Sequence, residues 1–72
     1  KKEIIDNILN ICLEKTSFED ILKKIFDKYE LTLNLMQYYL VGNTIKAYLK
    51  YLLESEKLKY LFEDNKMYYI TK

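Results

Sequence analysis

The stretch Leu58-Lys59-Tyr60-Leu61-Phe62-Glu63-Asp64-Asn65-Lys66-Met67-Tyr68-Tyr69-Ile70-Thr71 decides the fold of this chain. Two runs rich in aromatic and branched residues, 58–62 and 67–71, flank the polar turn Glu63-Asp64-Asn65-Lys66. That pattern is a β-hairpin. Everything upstream repeats with helical period instead. An isolated hairpin is marginal in water, so its apolar face must pack on the helices. The fold class is therefore mainly α with a C-terminal β-hairpin.

Working back from the hairpin, a helix from Asn43 or Thr44 to about Ser55 carries an inner stripe of Ile45, Tyr48 or Leu49, Leu52 and Leu53. Lys46, Ala47, Lys50, Tyr51 and Glu54 form its outer face. The chain's single glycine, Gly42, precedes it and reads as a helix stop, because glycine accepts the left-handed conformation that ends helices. Before Gly42, Thr32 or Asn34 caps a short helix with Leu33, Leu35, Met36, Tyr39 and Leu40. Further back, Thr16 with Glu19, or Ser17 with Asp20, forms a capping box. It opens a helix whose stripe is Phe18, Ile21, Leu22, Ile25, Phe26 and Tyr29. The first helix spans about Glu3 to Glu14, with Ile4, Ile5, Ile8, Leu9, Ile11 and Cys12 on one broad face. Cys12 lies in that arc and reads as a small buried hydrophobe. The expectation is four helices and a two-stranded wing, in one domain over residues 1–72.

Composition excludes most chemistry. Seventy-two residues hold one cysteine and no histidine, so an internal disulfide and the ordinary zinc-finger ligand sets are out. Nucleophilic catalysis with an imidazole base is out as well. The carboxylates sit among lysines on solvated faces, with no pattern that would drive their pKa values apart. An enzyme is not expected, nor a cofactor or metal. No apolar run approaches the ~20 residues that cross a bilayer, and no signal-peptide pattern opens the chain. A reducing, cytoplasmic setting is the expectation. All twelve basic residues are lysines, against eleven acidic ones, for a net charge of +1. That is a weak basic excess for a nucleic-acid binder, and arginine, the residue best suited to reading guanine, is missing. The bias toward lysine, isoleucine, asparagine and tyrosine matches an AT-rich coding sequence.

The order of helices, glycine turn, helix and strand–turn–strand resembles the winged helix-turn-helix domain. The string Val41-Gly42-Asn43-Thr44-Ile45-Lys46-Ala47-Tyr48-Leu49-Lys50-Tyr51-Leu52-Leu53-Glu54 and the closing Tyr68-Tyr69-Ile70-Thr71-Lys72 are similar to those of small archaeal winged-helix regulators. The likeness is good over residues 31–72 and loose over the first thirty. The common fold has three helices against the four counted here. Either Glu3–Glu14 is an added helix, or Leu31–Leu40 is an insertion before the recognition helix.

The resemblance implies DNA binding, with the last helix entering a major groove. Asn43, Thr44, Lys46, Ala47, Lys50 and Tyr51 would then be its contact residues, and Lys59 and Lys66 would meet the backbone from the wing. Residues 43–72 hold six lysines against four acidic residues, whereas residues 1–42 hold six against seven. Double-stranded DNA and a second copy of the chain are the implied partners, in transcription regulation or chromatin. The acidic wing tip Glu63-Asp64 opposes this reading. It favours a winged helix that binds other proteins within a replication, transcription or membrane-remodelling assembly. Eight tyrosines point the same way, since tyrosine is enriched at interfaces. Tyr38, Tyr51, Tyr60 and Tyr69 are the candidates for exposed rings.

Overall fold

A computed structural model describes residues 2–72. In chain order the elements are α1 (Lys2–Ile11), β1 (Thr16–Ser17), α2 (Phe18–Lys28), α3 (Leu35–Glu54), β2 (Leu58–Glu63) and β3 (Lys66–Thr71). The hairpin forms where its pattern puts it, one residue longer toward the turn on each strand. Its strands pair antiparallel from Leu58↔Thr71 to Glu63↔Lys66. Asp64 and Asn65 make the turn, both left-handed at φ 54° and 62°. Such a two-residue turn matches the right-handed twist of its strands.

Among the described residues there are three helices rather than four. The expected short third helix and the helix after Gly42 are one 20-residue element, α3, which runs through Gly42 without a break. No glycine has positive φ, so Gly42 stops nothing. It is buried in mid-helix beside Phe18, and a Cβ there would sit an ordinary 3.6 Å from the tip of that ring. The helix begins two turns earlier than Asn43, where Asn34 accepts a hydrogen bond from the Gln37 amide at 2.9 Å. With no separate third helix, the choice between an added helix and an insertion falls away.

The left-handed residues that end helices are glutamates. At the end of α2, Glu30 (φ 56°) donates to Asp27 O and Leu31 to Phe26 O. At the end of α3, Glu56 (φ 62°) donates to Leu53 O and Lys57 to Leu52 O. Both are Schellman closures, a motif that ordinarily uses glycine. Helix α1 ends at Ile11 instead of running to Glu14, because the chain must turn to enter β1.

Strand β1 is the element the periodicity does not announce. Thr16 and Ser17 pair with Tyr69 and Tyr68, which makes β3 the centre of a three-stranded antiparallel sheet ordered β1-β3-β2. Ser17 also caps α2, accepting from the Asp20 amide while its hydroxyl donates to the Asp20 carboxylate. The second of the two capping registers is the one used. Thr16 instead donates to Glu14 O at 2.7 Å.

The core draws on every helix and on the sheet: Ile8 and Cys12, then Ile21, Leu22, Ile25 and Phe26, then Ile45, Leu49, Leu52 and Leu58. Leu49, not Tyr48, holds the inner stripe of α3, and Tyr48 is half-buried beside it. Burial pushes the Cys12 thiol up to about 11. The chain end is stitched in by Thr71, which donates from its amide to Cys12 O and from its hydroxyl to Leu9 O.

Candidate nucleic-acid interface

The inner stripe fixes the rotation of α3, and the rotation fixes what faces out. With Ile45, Leu49 and Leu52 each at most 1% exposed, the residues at 43, 46, 47, 50, 51 and 54 are turned to solvent. All six helix residues anticipated for DNA contact are exposed. They divide into two flanks. Asn43, Lys46 and Lys50, spaced three and four apart, form one polar stripe. Thr44, Ala47 and Tyr51 instead line an apolar groove of about 540 Å³ with Ile5 of α1 and Tyr48.

The expectation that Asn43 and Thr44 open a helix is corrected. Both lie in the middle of α3, so their amides are spent on helical hydrogen bonds. The Thr44 hydroxyl is also occupied, donating to Leu40 O at 3.1 Å. Twelve residues separate the Asn34 cap from Lys46, about 18 Å along the axis. The true first turns of α3 turn outward Leu35, Met36, Tyr39 and Leu40, all more than half exposed. The missed signal was an absence: no charged residue stands between Leu31 and Ile45.

The two stripe lysines differ in what surrounds them. The Lys46 ammonium lies 5.0 Å from the centre of the Phe18 ring, a cation–π contact at the start of α2. Among the described residues, neither Lys46 nor Lys50 takes part in an ion pair. One turn apart, they stand about 6 Å from each other along the axis. Nearer the cap, the Tyr38 hydroxyl donates to the Glu19 carboxylate at 2.6 Å and braces α3 against α2. That bond raises the Tyr38 pKa, since ionisation would remove the shared proton.

Lys59 and Lys66 are exposed on the hairpin. Alternation along the strands puts them with Leu61, Glu63, Tyr68 and Ile70 on the sheet face opposite to buried Leu58. The hairpin lysines and the helix lysines are thus two separate groups. Lys66 lies 5.7 Å from the Tyr68 ring centre and Lys15 lies 5.0 Å from it. Lys15 also pairs with Glu63, which raises its pKa and neutralises half of the acidic tip. The sequence did not single out Lys15, because its partner is 48 residues away.

Of the four tyrosines expected to be exposed, Tyr51 and Tyr60 are, whereas Tyr38 and Tyr69 are half-buried against the core. Burial, and the thiol of Cys12 beside it, raise the Tyr69 pKa. Among the described residues no three histidine, cysteine or acidic side chains converge as a metal site. None of the described helices is long and apolar enough to cross a membrane. No protein-family model, curated protein or solved structure matches the chain.

Proposed function

We propose that this chain is a small winged helix-turn-helix protein that binds double-stranded DNA, as a transcription regulator or chromatin-associated factor. In this reading α3 is the recognition helix and the β2–β3 hairpin is the wing. The observation that carries it is the exposed stripe Asn43, Lys46 and Lys50, without acidic partners among the described residues, on a helix pinned by its buried opposite face. Three helices ahead of a hairpin support the fold assignment. The pairing of Lys15 with Glu63 reduces the repulsion a phosphate would meet at the wing tip. Affinity of this kind comes from releasing counterions, so it must fall steeply as salt rises. A titration of random-sequence duplex at several salt concentrations tests it. Weak, salt-sensitive binding is expected; no binding at low salt would end the proposal.

A second reading has its own observation. The first two turns of α3 turn Leu35, Met36, Tyr39 and Leu40 outward, with no charged side chain among them to meet phosphate. This favours a winged helix that docks on protein within a larger assembly, where exposed apolar patches mark interfaces. Tyr51 would then anchor a partner through the groove it shares with Ile5 and Ala47. In that reading Tyr51→Ala would weaken binding to the protein partner, while Lys46→Ala/Lys50→Ala would leave it largely alone.

A further inference from the structure

We propose that the uncharged N-terminal half of α3, with Leu33 just before it, is the contact surface of a two-fold symmetric homodimer. Five large side chains lie open there: Leu33 at 63%, Leu35 at 73%, Met36 at 76%, Tyr39 at 59% and Leu40 at 62% of their full exposure. Taking a large side chain at roughly 150–250 Å², together they expose on the order of 600 Å². That is the top of the range for the largest apolar patch of a typical monomer. It also comes close to the ~800 Å² that each partner contributes to a stable interface.

A second copy is the occupant these residues suit. In a two-fold contact the same patch meets itself, so any net charge on it would be set against like charge. No charged residue stands between Leu31 and Ile45, and the contact carries no such penalty. An antiparallel crossing centred between Gln37 and Tyr38 sets Leu35 of one copy opposite Leu40 of the other. The same crossing sets Met36 opposite Tyr39. Apolar groups then meet apolar groups in both directions.

The patch is also held in shape before contact. Asn34 caps the helix, Tyr38 is bonded to Glu19, and the Phe18 ring sits against Gly42. Little order has to be gained on association, which lowers its entropic cost. Lys46 begins about 9 Å beyond Leu40 along the axis, so the lysine stripes of both copies stay outside the contact. The inference stands whether or not the protein binds DNA.

Sedimentation velocity of the 72-residue chain, without DNA and over a concentration series, tests it. The parent is expected to shift from one chain to two as concentration rises, with a melting temperature that rises in step. Met36→Lys/Leu40→Lys should be monomeric throughout, with an unchanged far-ultraviolet circular dichroism spectrum, because both positions are open in the single chain. Met36→Ala/Tyr39→Ala, which keeps good helix formers and adds no charge, should weaken the dimer at least tenfold. A parent that stays monomeric at every concentration overturns the proposal. So does a dimer that both double variants leave intact. Binding of a monomeric parent to zwitterionic vesicles, lost in Met36→Lys/Leu40→Lys, would assign the patch to a lipid surface and overturn it as well.

Discussion

The two halves of α3 share one inner face and have opposite outer faces. Tyr38, Val41, Ile45, Leu49 and Leu52 run along the whole helix toward the core, half-buried at the start and fully buried at the end. Outward, residues before Gly42 are Leu35, Met36, Tyr39 and Leu40, and residues after it include Asn43, Lys46 and Lys50. Core packing explains the inner face and says nothing about the outer one. Large exposed apolar patches generally mark interaction surfaces, whereas exposed lysines are ordinary solvated residues.

Removing what the halves share should have the largest effect. Leu49→Ala deletes a side chain 1% exposed at the centre of the core and should cost about 2–5 kcal/mol in chemical denaturation. For a domain this small that is a large share of the total. A Leu49→Ala protein with the parent's midpoint would mean that the inner stripe is misassigned.

The brace on the first half comes next. Tyr38→Phe removes the hydrogen bond to Glu19 and should lower stability, with faster amide exchange confined to the start of α3. The bond also has a pH signature. The Tyr38 pKa is raised in the folded state, so its contribution is complete below pH 10 and is lost as pH climbs through the folded value. Cys12 acts in the same sense: its contribution is complete below 9.0 and is lost as the pH rises through about 11. The parent should therefore lose stability on the alkaline side, and Tyr38→Phe should lose less over that span. Equal alkaline losses in the two proteins would detach Tyr38 from the effect.

The smallest change sits at the junction. Gly42→Ala should raise stability by about 0.5–1 kcal/mol, because alanine is the better helix former and its Cβ would meet Phe18 at an ordinary 3.6 Å. Were Gly42 a left-handed stop between two helices, the same change would destabilise by about 1–2 kcal/mol. The sign of the shift separates one helix from two.

That junction also shows where sequence reasoning ends. The hairpin was legible because alternating aromatic residues around Asp64-Asn65 have few other conformations open to them. The rotation of α3 was legible from Ile45 to Leu52, where the apolar period is clean. Gly42 misled because a lone glycine between two helical patterns is ordinarily a stop, whereas here it lies inside one continuous helix with room for a Cβ beside Phe18. The left-handed positions went to Glu30 and Glu56, which nothing local marks. Strand β1 has two residues, too few for any period, and exists only because Thr16 and Ser17 meet a partner more than fifty residues away. At the candidate interface, exposure of the stripe lysines followed from helical geometry. The pairing of Lys15 with Glu63 and the open face of Leu35–Leu40 depend on tertiary contacts, present in one case and missing in the other.

In the proposed function the second half of α3 meets phosphate through Lys46 and Lys50. The most direct test compares the slope of log affinity against log salt for parent and Lys46→Ala/Lys50→Ala on the same random-sequence duplex. Each lost phosphate contact flattens the slope by about 0.9, so the double change should flatten it by close to two. The thermal melt should move by less than ~0.5 kcal/mol equivalent, as both side chains are exposed. An identical slope in the two proteins, with the fold intact, would contradict the assignment of α3 as a DNA-reading helix.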